Sequence, residues 1–152
     1  MALKLSTGLR DALLGTDSLK GILDYGVIKI FGGTPPSTAD GDDTTFTLLV
    51  EITTDGLDVT PGATTNGLVF AAPSGGTIAK SADNWSGAAV ATGTASWFRL
   101  YDNDVNMGSS STAARLQGTV GTYGADMLVS STNVVGGATI TVDSFNMTLP
   151  AK

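Results

Sequence analysis

At 152 residues the chain has the length of one domain, enough to bury roughly 68–70% of the surface it exposes when unfolded. It contains neither histidine nor cysteine, so disulfides and cysteine-bound zinc are excluded, and an enzyme running acid/base or nucleophilic chemistry near neutral pH is not expected. The net charge is −6, no basic stripe is present, and no apolar run reaches the about 18 residues of a membrane helix, so neither nucleic acid nor a bilayer is an expected partner.

Met1-Ala2-Leu3-Lys4-Leu5 begins like a signal peptide, but Thr7, Gly8, Arg10 and Asp11 interrupt the apolar stretch, so export by such a signal is not expected. Leu9, Ala12 and Leu13 then recur at helical spacing behind Thr7, a candidate cap, and predict a short amphipathic helix. Gly15 interrupts it. Asp17 is placed to cap a second short piece carrying Leu19, Ile22 and Leu23 and ending at Gly26. Neither piece is long enough to hold its shape alone. Residues 1–26 are therefore expected as a helical arm docked on the domain's own sheet, and residues 27–152 as a β-domain.

From Val27 the apolar period changes to two. Val27-Ile28-Lys29-Ile30-Phe31 predicts a strand stopped by Gly32-Gly33-Thr34-Pro35-Pro36, and Thr38 to Asp43 reads as a polar loop. Phe46, Leu48, Val50 and Ile52 share one face of the next strand. Asp55-Gly56, Pro61-Gly62 and Asn66-Gly67 mark turns. Leu68 to Phe70 and Thr77 to Lys80 are short strand candidates around Pro73-Ser74-Gly75-Gly76. Thr94 to Tyr101 is large and apolar on both faces, Phe98 and Leu100 on one and Trp97 and Tyr101 on the other, so it should lie centrally and be covered on both sides. Arg115 to Val120 and Ala125 to Val129 are spaced for a hairpin across Gly121-Thr122-Tyr123-Gly124. In the last strand the apolar parity shifts from Ile140 and Val142 to Phe145, Met147 and Leu149, which predicts a β-bulge at Asp143-Ser144.

About eight strands after one helical segment predict an all-β fold, an antiparallel two-sheet sandwich with a jelly roll as the leading topology and a partly open β-barrel as the nearest alternative.

Candidate chemistry is sparse. Glu51 and Asp143 are acids within strands, without an identifiable partner for paired-carboxylate hydrolysis. Asp102-Asn103-Asp104-Val105-Asn106 alternates oxygen side chains as a calcium loop does, but Met107 and Ala113 stand where glycine and glutamate belong, which favours a turn closed by Asx hydrogen bonds. Asp40, Asp42 and Asp43 read as a solvated acidic loop. The glycine pairs fit no phosphate-binding pattern, and Trp85 and Trp97 read as core rather than sugar platforms. No catalytic residue, metal ligand or cofactor is assigned.

The chain resembles a family of small tailed-bacteriophage virion proteins. The likeness runs through Met1-Ala2-Leu3-Lys4-Leu5-Ser6-Thr7-Gly8-Leu9-Arg10-Asp11-Ala12-Leu13-Leu14-Gly15, Gly26 to Phe31, Trp85-Ser86-Gly87, Gly93 to Arg99, Arg115 to Val120, Gly124 to Met127 and Asp143-Ser144-Phe145. These motifs belong to strands and turns, so they mark a lineage rather than an activity. The resemblance implies a structural component of the virion, assembled in the host cytoplasm, and the preferred reading is a capsid decoration or cement protein clamping neighbouring major capsid subunits. Low charge suits that role, since 14% charged residues against roughly 25% in ordinary domains leaves a surface that packs on neighbours with little ion desolvation. Homo-oligomers and shell or other virion proteins are the expected partners, and Leu3, Leu5, Leu9 and Leu13 are the candidate anchoring stripe, with an intramolecular staple as their other role. The alternative is a receptor- or carbohydrate-binding module at the tail or collar, using the loops Thr34 to Asp43 and Tyr101 to Ser111.

Overall fold

The computed structural model describes residues 3–151, so Met1 and Ala2 of the arm and the terminal Lys152 lie outside the described residues. In chain order the elements are β1 (Lys4–Leu5), α1 (Thr7–Gly15), α2 (Leu19–Leu23), β2 (Val27–Phe31), β3 (Leu48–Thr54), β4 (Thr77–Ala79) and β5 (Trp85–Ala88). Then follow β6 (Gly93–Thr94), β7 (Trp97–Tyr101), β8 (Arg115–Gly121), β9 (Met127–Val129), β10 (Asn133–Val134) and β11 (Thr139–Thr148). Among the described residues no helix is long and apolar enough to cross a membrane.

Both short helices are started by serines. Ser6 accepts from the Leu9 N–H (3.1 Å) and Ser18 from the Gly21 N–H (3.1 Å), one residue away from Thr7 and Asp17 in each case. The Ser6 hydroxyl also donates to the Ala113 carbonyl (2.8 Å) and accepts from the Arg115 N–H (2.9 Å), so the residue that starts α1 also ties it to the entry of β8. Leu9 and Leu23 are fully buried in the main core, and Leu3, Leu5, Leu13, Leu19 and Ile22 pack against it half-buried. The arm therefore completes the domain's own core.

The expected two-sheet sandwich is not what forms. Seven strands close into a mixed barrel, β8-β7-β2-β3-β5-β11-β9 and back to β8, with every pairing antiparallel except β8 with β9. β1 and β4 extend it, and β6 with β10 makes a separate two-stranded ribbon. Closure rests on two features. β11 is ten residues long and pairs in succession with β5, β9 and β4, bending at a register shift between Val142 and Ser144. That shift leaves Asp143 outside and brings Phe145 inward, the bulge which the alternation predicts. The second feature is the connection from β8 to β9, which is no hairpin: the chain loops through Thr122–Asp126 and returns so that Met127 lies parallel beside Val120. The Asp126 carboxylate holds the loop by accepting from the Thr119 N–H (2.8 Å) and hydroxyl (2.9 Å). Alternation along strands is the same for the inner wall of a barrel and the inner face of a sandwich, so hydrophobic pattern alone does not separate the two.

Inside the barrel, Ile28 and Ile30 are paired across to Leu100 and Phe98 on one side and to Ile52 and Val50 on the other, and Leu116, Met127, Val142 and Phe145 belong to the same buried cluster. Phe145 stacks edge-on with Phe98 at 5.6 Å, and Phe70 edge-on with Trp85 at 5.2 Å. The opposite face of β2, β7 and β8 is also buried, because the chain between β2 and β3 folds back over it. Phe46 belongs to that covering segment and packs edge-on against Trp97 (5.2 Å), which stacks on Phe31 (4.4 Å). Phe46 thus lies outside the barrel, away from the face of Val50 and Ile52, since a register shift between Ile30 and Phe31 separates them.

Candidate functional site

The outer wall positions the molecule's main polar cluster. Arg99 stands opposite Lys29 and Gln117 in the sheet, and Tyr101 opposite Arg115. All of Arg99, Tyr101, Arg115 and Gln117 are buried, as is Asp43 in the covering segment. Arg99 pairs with Asp43 at 2.9 Å, donates to the Gly41 carbonyl (2.7 Å) and to Gln117 Oε1 (2.5 Å), and lies over the Trp97 ring. The Tyr101 hydroxyl donates to the same Asp43 oxygen. Gln117 in turn donates to the Pro36 carbonyl (2.8 Å). Arg115 has no carboxylate of its own: it reaches the carbonyls of Ala39, Gly41 and Gly108 and the side-chain oxygen of Asn106.

Two guanidiniums and one carboxylate thus share one buried volume. Burial lowers the Arg115 pKa, and the Arg99 charge adds to that lowering. Burial raises the Tyr101 pKa, reinforced by its bond to the Asp43 carboxylate, so the phenol stays protonated and serves as a donor. Each of these bonds stays within the chain, and about half end on backbone carbonyls of residues 36–43. The arrangement clamps a strap onto a wall, with Arg99, Arg115, Asp43, Tyr101 and Gln117 all shielded from solvent.

Asp43 is the residue that corrects the sequence reading of a solvated acidic loop. Its neighbours are also engaged: Asp40 accepts from the Thr7 N–H (2.8 Å) and hydroxyl (2.7 Å), and Asp42 from the Thr44 N–H (2.9 Å) and hydroxyl (2.7 Å). Hydrogen bonding from the Thr7 hydroxyl lowers the Asp40 pKa, and the Thr44 N–H does the same for Asp42. In the Asp102-Asn103-Asp104-Val105-Asn106 loop, Asp102 closes an Asx turn onto the Asp104 N–H (3.2 Å), while Asn106 is turned to Arg115. Glu51 pairs with Lys29 at 3.1 Å, and Asp143 lies exposed on the bulge. Trp85 and Trp97 are fully buried.

The candidate stripe divides. Leu9 is fully buried and unavailable to a partner, whereas Leu3, Leu5 and Leu13 keep part of their surface. Leu13 lines a groove of about 330 Å³ between the arm and the β4–β11 edge, and its neighbour Leu14 is 88% exposed. Leu14 escapes helical periodicity because it follows Leu13 directly and so points away from the buried side. The loops 34–43 and 101–111 do meet, through Ser110 N–H to the Asp40 carbonyl (3.0 Å) and Asp43 N–H to the Met107 carbonyl (3.3 Å). They meet over the wall, and their one aromatic, Tyr101, is buried. No protein-family model matches the chain, and no curated protein or solved structure matches it.

Proposed function

We propose that the chain is a structural protein of a tailed-bacteriophage particle, a decoration or cement protein that binds the head in many copies and braces neighbouring major capsid subunits. The observation that carries this reading is where the polar chemistry goes: Arg99, Arg115, Asp43, Tyr101 and Gln117 are all spent on fastening one segment of the chain to its own barrel. What faces outward is largely neutral, with Thr, Ser, Gly and Ala dominating the exposed turns. A rigid barrel with such an exterior packs on neighbours at little desolvation cost, and repetition over a shell turns weak single contacts into firm attachment. The sequence resemblance to small virion proteins points the same way. The receptor-binding alternative asks for exposed aromatics on loops 34–43 and 101–111, whereas the exposed tyrosines are Tyr25 and Tyr123, elsewhere.

The test is to add purified protein to empty heads of the phage that encodes it. Saturable binding that raises the temperature or chaotrope concentration at which the heads break supports the reading. Binding to host cells or glycans without binding to heads overturns it.

A further inference from the structure

The barrel strands alternate in direction except where β8 meets β9, so their connections gather at two ends. Strands β2, β5, β8 and β9 run toward one end, which carries the connections 89–96, 122–126 and 130–138. The opposite end carries 24–26, 55–84 and 102–114. Charge divides between the two. Asp24, Asp55, Asp58, Asp83, Asp102 and Asp104 stand at the second end against Lys20 and Lys80. At the first end residues 84–98 and 127–142 contain no charged residue, and the Asp126 carboxylate is taken up by Thr119. The connection from β2 to β3 begins at this end but folds back over the outer wall, and Asp40, Asp42 and Asp43 go with it. The first end also exposes apolar side chains: Tyr123 is 86% exposed, Val90 68% and Val135 53%. Between residues 45–47 and 92–94 it holds a hollow of about 540 Å³, with Phe46 and Leu49 in its wall and no charged residue lining it.

Few charges together with exposed aliphatic and aromatic groups is the composition of an interface core, and covering such an end strips water from no free ion. We infer that the uncharged end is the surface by which the protein seats on the shell, against an uncharged surface of the major capsid subunit rich in hydroxyl and aliphatic side chains, with the acidic end left in solvent. The inference rests on the reading of the chain as a head decoration protein. On that reading the shell, rather than a second copy, is the occupant: a head-to-head pair of copies would use up both uncharged ends and leave acidic ends to face the shell. Acidic ends turned outward instead stay hydrated and hold decorated particles apart.

The test compares three full-length proteins for binding to empty heads of the encoding phage: wild type, a Val90→Glu and Val135→Glu double variant, and a Leu57→Glu and Thr60→Glu double variant that adds the same charge at the acidic end. All four positions are exposed, so the melting temperatures should stay close to wild type. The first variant should bind at least about tenfold more weakly, because each glutamate would be buried without a partner, and the second should bind as wild type does. Hydrogen exchange of head-bound wild type gives a reading that needs no variant: amides in 89–96 and 130–138 should be slowed, and those in 55–84 and 102–114 should not. Undiminished binding by the Val90 and Val135 variant, or protection at 55–84 and 102–114 instead, overturns the inference and leaves the cement reading standing. Wild type that leaves heads unbound overturns both. Sedimentation that shows a wild-type dimer dissolved by the Val90 and Val135 substitutions gives this end to a second copy and overturns the inference.

Discussion

Arg99 and Asp43 form an ion pair at 2.9 Å with neither side chain reached by solvent, although one belongs to a barrel strand and the other to a segment without regular structure. A buried pair is weak evidence of net stabilisation, but removing one partner leaves an uncompensated charge, which is costly. Asp43→Ala, which also takes the acceptor from Tyr101, should lower unfolding stability by about 3–5 kcal/mol. Chemical denaturation checks this, and a loss under 1 kcal/mol would show that the strap is held by its aromatic contacts instead.

Asp40 acts on the other side of the same strap. It satisfies the N–H of Thr7, one of the unpaired donors at the start of α1, from 33 residues away. Asp40→Asn should cost about 1 kcal/mol at pH 7 after allowance for solvent screening. The folded pKa is lowered, chiefly by the Thr7 hydroxyl, so this contribution is full above the ordinary carboxylate range and is lost as the pH falls through the folded value. The difference in melting temperature between wild type and variant should accordingly shrink in acid. Asp102, whose pKa burial raises, contributes with the opposite sign, so its effect weakens stability as the pH rises through that range.

The loop that leads into the parallel pairing of β8 with β9 is fastened by the Asp126 carboxylate. Asp126→Ala removes the acceptor of the Thr119 N–H and hydroxyl and should cost about 1–3 kcal/mol. Hydrogen exchange should localise the loss to residues near Val120 and Met127, and uniform acceleration across all strands would contradict a local role.

Gly87 lies where β3 and β5 come together, and a methyl group there would run into the Glu51 carbonyl oxygen. Because that neighbour is backbone, Gly87→Ala should destabilise by about 3 kcal/mol, at the upper end of overpacking effects. A melting temperature within a degree of wild type would mean that the barrel wall yields there.

Much of this architecture is legible in the sequence where a local rule suffices. The two-sided strand around Trp97 to Tyr101 is central and covered, and the parity change at Asp143-Ser144 is a bulge. Closure is not legible, because it depends on one loop returning parallel where spacing favours a hairpin, and on a side chain, Asp126, that reads as an ordinary turn residue. Asp43 is hidden for a similar reason: three acids in a polar loop look solvated. A signal was present in Arg99, which alternates with Trp97 and Tyr101 on a face expected to be covered, and a covered guanidinium requires an acceptor.

The central claim is that the protein works as a repeated structural part of a phage particle. Quantitative mass spectrometry of purified mature virions, with the major capsid protein as internal reference, tests it most directly. The account predicts many copies per particle, in fixed proportion to the major capsid protein from one preparation to the next. Absence from mature virions, with abundant protein left in the lysate, would contradict it.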